Sequence, residues 1–382
     1  MSATASEVAS SRSTATAPSG SWDWWLLGVV VALVALGLLM ILSASSVMAD
    51  QRYGDALRFV TRQLIGLGLG LGAAVSVLVI PWGWFRTGSR WILGASVVML
   101  ALVWTPLGHG ANGARRWLDV GLLNLQPSEM AKVAIILFAS DYLARNAHQL
   151  NRAGGLLPLL GLCGVPIVLT SIQPDFGSTV ILVGLVGYLL ILAGLRSSWV
   201  VLGGVATVAA LSFVALLQPY RIRRLTSFVD PLENASGDGY QVVQAWIALA
   251  QGGLTGQGLG TGVAQRGFLP EAHTDFIGAV VGEELGAIGW LVMVACYGVV
   301  LWRGTTIAAR ANGLYGNLLA GGVTTLLTVQ AIINLGVIVG WVPPKGLVLP
   351  FVSYGASAVV VHILCIGLLL RVGLESPARR TR

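Results

Sequence analysis

The sequence has few charged residues and few cysteines for its length of 382 residues. Asp, Glu, Lys and Arg make up 10% of the chain, against about 25% in ordinary globular proteins, which excludes a soluble protein. The three cysteines, Cys163, Cys296 and Cys365, each lie in an apolar stretch, with no CxxC pair and no histidine at metal spacing. This pattern predicts three buried thiols and neither a disulfide nor a zinc site.

Two sequence patterns, one typical of nucleic-acid binding and one of phosphate binding, are also missing, although the formal net charge is +7. No run of Lys and Arg with interleaved aromatic residues lies outside the apolar stretches, so nucleic-acid binding is not expected. The phosphate-loop pattern GxxxxGK[ST] is absent. What the chain does contain is 55% apolar residues and a mean hydropathy of +0.79, which predicts a polytopic membrane protein. Glycine runs such as 66–72 are typical of close helix–helix contacts.

Long uncharged stretches predict an all-α fold with ten transmembrane helices. One span is less clean: it contains Glu129 and Lys132, which are three residues apart and can pair on one helix face, away from lipid. The Gln- and Gly-rich run 239–265 predicts instead a short interfacial helix over 242–250. The predicted spans are 24–49, 63–85, 91–114, 126–142, 153–174, 176–195, 197–220, 285–302, 311–344 and 346–370.

Ten spans place both ends of the chain on the same side of the membrane. Residues 1–22 are rich in Ser, Thr and Ala and predict a disordered tail, 23–372 form the membrane domain, and 373–382 form a basic tail. The short loops on the side of the tails carry Arg with almost no acids, so the positive-inside rule predicts cytoplasmic tails. One long loop, 218–275, then lies outside between helices 7 and 8. Its sequence is not of low complexity, so we expect it to be ordered.

Basic side chains gather on the predicted outer face. Guanidinium and ammonium groups there suit a diphosphate or carboxylate ligand, although interfacial Arg and Lys also serve as anchors at the lipid headgroups. The basic groups that cluster there are Arg115, Arg116, Arg221, Arg223, Arg224, Arg266 and Lys345.

Carboxylates concentrate at the same outer helix ends. They suit a polar cavity, and the alternative for each is a helix cap or a partner of the helix dipole. Glu283 and Glu284 fit that alternative badly, because they lie two turns inside a predicted helix and need partners or water. His273 and His362 have no second ligand at helical or hairpin spacing, which favours polar packing. The carboxylates at or just inside these helix ends are Glu129, Asp175, Glu271, Asp275, Glu283 and Glu284.

Several motifs in order resemble the SEDS family (shape, elongation, division and sporulation), and within it the FtsW division branch. The resemblance covers about 24–372, and Lys345 in PPKGL favours the division branch over the RodA elongation branch, which is apolar there. Ala356 stands where the family usually has the second glycine of SYGGS. The matching stretches are SASSVMA (43–49), GARRWLDVG with LQPSEMAK (113–132), QPDFGS (173–178), RRLTSFVDPLE with GYQVVQA (223–245), GQGLG with LPEAHTDFIGAVVGEELG (256–286) and VPPKGLVLPFVSYGAS (342–357).

This resemblance implies an inverting peptidoglycan glycosyltransferase that polymerises lipid II on the outer face of the cytoplasmic membrane during septal wall synthesis. The GlcNAc 4-hydroxyl of the acceptor would attack the MurNAc anomeric carbon of the donor, and undecaprenyl diphosphate would leave. The expected partners are a class B penicillin-binding protein and other divisome proteins at the division septum.

The resemblance also implies roles for individual residues. Asp275 of the HTDF motif is the expected catalytic base, and Mg²⁺ or Mn²⁺ held between a carboxylate and the diphosphate would suit the chemistry, although no metal-ligand set is visible. The expected diphosphate holders are Arg115, Arg116, Arg221, Arg223, Arg224 and Lys345. The expected supporting polar residues are Glu271, His273, Glu129, Lys132, Asp175, Glu283 and Ser353.

Two other functions stay open at this stage. In a lipid II translocase, the intramembrane Glu283, Glu284, Asp175 and Glu129 would line a path for the headgroup; the two halves of the chain show none of the self-similarity common in transporters. A non-catalytic divisome scaffold would not need Asp275 at all.

Overall fold

The computed structural model describes residues 21–111, 114–119, 121, 124–216, 228–237, 239–262 and 268–376. Residues 1–20 and 377–382 of the two predicted tails therefore lie outside the described residues. The described part contains eleven α-helices of at least 13 residues. They are α1 (Trp24–Tyr53), α2 (Arg58–Val79), α3 (Trp82–Leu102), α4 (Pro127–Asn146), α5 (Ala153–Ile172), α6 (Phe176–Leu192), α7 (Ser197–Leu216), α8 (Tyr240–Gly252), α9 (Ile277–Arg310), α10 (Gly313–Ile338) and α11 (Ala356–Glu375).

These helices confirm a helical, multi-pass membrane protein. Ten of them overlap the ten predicted spans, and α8 covers the predicted interfacial helix. Six, namely α1, α2, α5, α9, α10 and α11, are long and apolar enough to cross a membrane by length and composition. Most side chains of α4, α10 and α11 are buried, so these three helices form the centre of the bundle.

A small antiparallel sheet was not predicted. Its strands β1 (Gly108–Ala111), β2 (Ala114–Asp119) and β3 (Asn124–Leu125) pair in the order β1–β2–β3. The sequence prediction had continued the third span through 114, yet α3 ends at Leu102. Strands of two to six residues are too short to give an alternating pattern that stands out beside a long apolar helix.

The turn between α2 and α3 also differs from the prediction, which had placed it around 86–90. The chain turns at Ile80 and Pro81 instead, because proline has a fixed φ and no N–H and therefore favours a helix start. Arg86 consequently lies inside α3, where its Nε is 2.9 Å from Asp141 Oδ1 and its guanidinium lies 5.0 Å from the Tyr315 ring centroid.

The predicted last two spans, 311–344 and 346–370, are wrong over residues 339–355. This stretch, here called the cavity loop, is not helical: α10 ends at Ile338 and α11 begins at Ala356. Three prolines in it oppose a helix. Side chains from neighbouring helices bind its backbone, as Gln330 Nε2 donates to Val348 O at 3.1 Å and Tyr297 hydroxyl donates to Pro350 O at 2.5 Å.

Two smaller predictions are tested by the packing. Lys132 and Glu129 do pair, at 2.6 Å between Nζ and Oε1, and both side chains are buried. All three cysteines are free; Cys163 and Cys365 are buried as predicted, whereas Cys296 is only partly buried.

Candidate active site

A cavity of about 470 Å³ lies where the three-stranded sheet, the start of α6, the turn before α9 and the cavity loop meet. Four stretches that are far apart in sequence therefore share one space. Several sequence-predicted residues line it, and these are Arg116, Asp175, Glu271, His273, Asp275 and Lys345.

Asp275 is held by its backbone in the turn that precedes α9. Three successive carbonyl oxygens of this turn are bound: His273 O accepts from Tyr354 N at 2.9 Å, Thr274 O from Ser353 Oγ at 2.5 Å, and Asp275 O from Asn334 Nδ2 at 2.8 Å. Ser353, a predicted supporting residue, thus acts by fixing the turn. The position of the Asp275 carboxylate is therefore set by α10 and the cavity loop.

The Asp275 carboxylate also lies against the backbone of the cavity loop. A Cβ added to Gly346 would be 3.3 Å from Asp275 Oδ2. Glu271, one turn earlier, adopts a positive φ of 57° and its Oε2 accepts from Thr274 Oγ1 at 2.9 Å. The carboxylates of Glu271 and Asp275 thus face the same cavity, from the two ends of one turn.

Cationic groups face the cavity from three sides. Lys345 Nζ lies 4.1 Å from the centroid of the Phe176 ring at the start of α6. The Arg116 guanidinium donates from Nε to Gln173 O at 3.4 Å and from Nη2 to Pro174 O, which ties β2 to the same helix start.

The third cation, Arg62 on α2, was not among the sequence-predicted site residues. It lines the cavity, where its guanidinium lies beside the Tyr354 side chain. Its four-residue spacing from Arg58, which places both on one helix face, could have marked it.

Asp175 has both of the roles weighed from the sequence. It is the N-cap of α6, where Oδ1 accepts from Ser178 N at 3.2 Å. Its Oδ2 accepts from Ser128 Oγ at 3.0 Å and from Gln126 Nε2 at 3.3 Å, which joins α6 to the start of α4. Asp175 is buried and forms part of the cavity wall.

His273 packs among aromatic rings at the edge of the cavity, as the polar-packing interpretation predicted. Its ring centroid is 4.8 Å from that of Phe59 and 5.7 Å from that of Tyr354. Burial lowers the pKa of the His273 imidazole below its ordinary value, against an opposing effect of the Glu271 carboxylate. A neutral imidazole is therefore favoured at neutral pH.

Other predicted residues lie elsewhere. Glu129 and Lys132 pair within α4, and neither lines the cavity. Glu283 borders a separate small pocket beside α8. Arg115 is exposed on β2 and is not among the cavity-lining residues. Arg221, Arg223, Arg224 and Arg266 lie outside the described residues.

The sequence resemblance implied Mg²⁺ or Mn²⁺ held between a carboxylate and the diphosphate. Within residues 21–376, apart from the gaps given above, no group of three or more His, Cys, Asp or Glu side chains is placed to hold a metal ion. Three carboxylates line the cavity, those of Asp175, Glu271 and Asp275, and they are not placed as a complete protein ligand set.

The chain matches a known protein family over most of its length. The sequence model of the FtsW, RodA and SpoVE family, described as cell cycle protein, matches residues 23–377. A probable peptidoglycan glycosyltransferase FtsW of Coxiella burnetii is 40% identical over 364 residues, covering 94% of this chain and 98% of that protein. Stage V sporulation protein E of Bacillus subtilis is 36% identical over 356 residues, covering 93% of this chain and 97% of that protein.

Solved structures share the fold. One, from a study of how a peptidoglycan synthase complex coordinates polymerization and crosslinking, has a TM-score of 0.76 at 28% identity and covers 92% of this chain and 98% of that one. The rod shape determining protein RodA of Thermus thermophilus has a TM-score of 0.69 at 28% identity, covering 94% of this chain and 99% of that one.

Proposed function

Because the chain belongs to the FtsW, RodA and SpoVE family of cell cycle proteins, we propose that it is a peptidoglycan glycosyltransferase of septal wall synthesis. It would polymerise lipid II on the outer face of the cytoplasmic membrane. The observation that carries this proposal is the cavity in which the Asp275 carboxylate, Lys345 and Arg116 face one space. The probable peptidoglycan glycosyltransferase of Coxiella burnetii, which is 40% identical over 94% of this chain, supports the same reaction.

Asp275 is the proposed general base. The reaction joins the GlcNAc 4-hydroxyl oxygen of one lipid II to the MurNAc anomeric carbon of another, and the bond from that carbon to the diphosphate breaks with inversion. The hydroxyl proton passes to the base, and a carboxylate within hydrogen-bond reach can accept it. Backbone bonds at residues 273, 274 and 275 fix the base before substrate arrives, which reduces the entropy lost in reaching the reactive geometry.

Lys345, Arg116 and Arg62 are the proposed holders of the diphosphate. The leaving group gains negative charge as the bond breaks, and cations already placed in a partly enclosed site stabilise that charge. Arg116 is oriented by two carbonyl groups, while the Lys345 ammonium lies over an aromatic ring that leaves it facing the cavity. Arg115 and the arginines at 221, 223 and 224 stay proposed contributors from the outer loop.

A translocase receives less support from the geometry. Of the four intramembrane carboxylates proposed for a headgroup path, Asp175 lines the cavity, whereas Glu129, Glu283 and Glu284 do not. Glu129 is paired with Lys132 in the centre of the bundle. These side chains do not form one continuous polar path.

The partner proposed for this chain is a class B penicillin-binding protein at the division septum. Its support is the similarity to a solved structure from a peptidoglycan synthase complex in which polymerization and crosslinking are coordinated. Lipid II as substrate and further divisome proteins as partners belong to the same proposal.

The proposal includes a membrane topology. It has ten spans, both ends of the chain in the cytoplasm and an outer loop over 218–275. Ser236 is exposed within this loop. A Ser236→Cys variant should react with an impermeant maleimide in intact spheroplasts, whereas protection until the cells are lysed would contradict the topology. The single cysteine requires replacing the three native ones, which are free.

The catalytic proposal is tested with purified protein, lipid II and the penicillin-binding partner. Asp275→Asn preserves the shape of the side chain and removes the base, so we expect polymer formation to fall about 100-fold or more. Asp230→Asn is the matched control, because Asp230 is an exposed carboxylate outside the cavity lining whose Oδ1 accepts from the backbone Glu233 N at 3.1 Å. Native-rate polymerisation by Asp275→Asn would refute the base assignment. Normal division of Asp275→Asn cells with an assembled complex would favour the scaffold.

A further inference from the structure

The α9 helix is interrupted at Gly286, which has φ 69° and ψ −172°. In a continuous helix, Ala287 N and Ile288 N would donate to the carbonyls four residues earlier. Here they donate instead to Gly253 O at 2.9 Å and Leu254 O at 3.2 Å. Two backbone donors released by the break are thus satisfied by another part of the chain.

The two carbonyls released by the same break are satisfied from the same place. Glu283 O accepts from Gln257 N at 3.0 Å, and Glu284 O accepts from Gly258 N at 3.0 Å. Residues 253–262, here called the inserted loop, therefore exchange four backbone hydrogen bonds with α9. Because the inserted loop satisfies the backbone groups that the break leaves without helical partners, it is an integral part of the fold.

Glycines make this close approach possible. A Cβ on Gly256 would lie 2.1 Å from Glu284 O, and a Cβ on Gly286 would lie 2.3 Å from Gly256 N. Gly252, at the end of α8, leaves equally little room against Gly282 O, at 1.9 Å. The Gly-rich stretch of the outer loop is therefore explained by backbone packing against α9.

The Glu284 side chain joins this junction to a third element. It is 1% exposed, its Oε1 accepts from Ser43 Oγ of α1 at 2.5 Å, and the backbone amide of Gly260 in the inserted loop lies beside its carboxylate. One buried carboxylate thus links α1, the inserted loop and α9. Neither Ser43 nor Glu284 lines the cavity.

The contacts at the Gly286 break set the direction of the short helical piece that follows Asp275 in sequence. Residues 277–285, about 13 Å of helix at 1.5 Å per residue, lie between the Gly286 break and the turn that carries Asp275. A glycine at positive φ can act as a hinge, so the direction of this helical piece depends on what holds it at the break. The other end is fixed by Asn334 and the cavity loop.

We propose that Glu284 is a positioning residue for Asp275, acting by holding the inserted loop and α1 against the break in α9. This inference rests on the proposed polymerase function. Without the Glu284 carboxylate, the inserted loop leaves the break more often and the 277–285 piece pivots about Gly286. The base then moves relative to the diphosphate holders, whereas lipid II binding by those cations changes little.

The test combines polymerisation kinetics with amide hydrogen exchange on the complex in detergent. Glu284→Ala should lower kcat at least tenfold with the KM for lipid II within twofold, because small misplacements of catalytic groups are costly. Exchange should rise in peptides covering 253–262 and 284–289. Glu284→Gln retains an acceptor for Ser43 or Gly260 and should recover most of kcat and of the protection.

Ser43→Ala is the milder variant in case Glu284→Ala does not fold. It should lower kcat several-fold with faster exchange in the same peptides, and the double variant Ser43→Ala with Glu284→Ala should be no slower than Glu284→Ala alone. Ser76→Ala is the matched control, because that hydroxyl binds Gly72 O of its own helix at 2.8 Å, and it should behave as native protein.

The outcomes separate the two proposals. Inactive native protein would contradict the polymerase function itself, whatever the exchange data show. If native protein is active, a native kcat in Glu284→Ala would overturn the positioning role. If only Ser43→Ala folds, a native kcat in that variant would overturn it. A lowered kcat without faster exchange at the inserted loop would overturn it as well, since the loss would then have another cause.

Discussion

Replacing Lys132 by Met should destabilise the protein far more than replacing an arginine on the same helix. Lys132 is fully buried on α4, and its Nζ lies 2.6 Å from Glu129 Oε1. Methionine fills a similar volume but leaves the Glu129 carboxylate without its cation. The other oxygen of that carboxylate, Oε2, has no hydrogen-bond partner among the described residues, so the ammonium group is its main compensation.

The magnitude follows from this burial. Removing one partner of a buried ion pair costs about 3–5 kcal/mol, because the remaining charge stays desolvated, whereas replacing both partners by apolar groups is often neutral or stabilising. We therefore expect Lys132→Met to lower the free energy of unfolding by about 3–5 kcal/mol. The double variant Glu129→Leu with Lys132→Met should recover most of that loss.

The matched control is Arg145→Met, also on α4. Arg145 Nε lies 2.8 Å from Asp141 Oδ2, but its side chain is 49% exposed, so the loss should stay below about 1 kcal/mol. The free energies are measured by denaturant titration of the purified variants in one detergent. If Lys132→Met cost no more than Arg145→Met, or if the double variant were as unstable as the single one, the desolvation argument would be refuted.

Three further predictions follow from the cavity and the packing. Lys345→Met removes the ammonium and keeps the apolar stem, so the KM for lipid II should rise roughly 10- to 100-fold; an unchanged KM would exclude Lys345 as a diphosphate holder. Gly66→Ala should cost about 1–3 kcal/mol, because its Cβ would lie 2.8 Å from Ala356 O, whereas Gly68→Ala meets nothing within 4 Å and should be neutral or stabilising in the same unfolding titration. Burial lowers the His273 pKa in the folded state, so the unfolded chain binds more protons and native stability should fall as the pH drops below about 6.5. The His273→Gln variant should lose less stability over that range. Identical pH profiles of the two proteins would contradict the role of His273 in this loss.

The helices were predictable because apolar length is a strong signal. Every predicted span contains a helix, although their ends differ where local chemistry competes with hydropathy. Pro81 moved the turn between α2 and α3, and Arg86 was tolerated inside α3 because Asp141 and Tyr315 compensate it. Spans predicted from stretches without charged residues cannot include such a pair, since the partners lie in distant parts of the sequence.

The site was predictable only in part. The motifs identified Asp275, Lys345, Arg116 and Asp175, which line the cavity. The role of Ser353 could not be read from the sequence, because it depends on how the cavity loop folds back onto the turn before α9. Arg62 was not predicted as a site residue, and its place in the cavity wall depends on α2 packing against α11.

Buried amide side chains within apolar helices are the signal that connects the fold to the site. Asn334 and Gln330 on α10, and Gln63 on α2, each bind the backbone of the cavity loop, through Leu347 O at 2.6 Å, Val348 O at 3.1 Å and Ser353 O at 3.2 Å. Non-helical backbone at membrane depth is tolerated only where protein groups satisfy it. An amide in a span therefore indicates irregular backbone nearby, and irregular backbone is what places Lys345 and Gly346 beside Asp275. The same requirement explains the inserted loop at Gly286, where a second loop supplies the missing bonds.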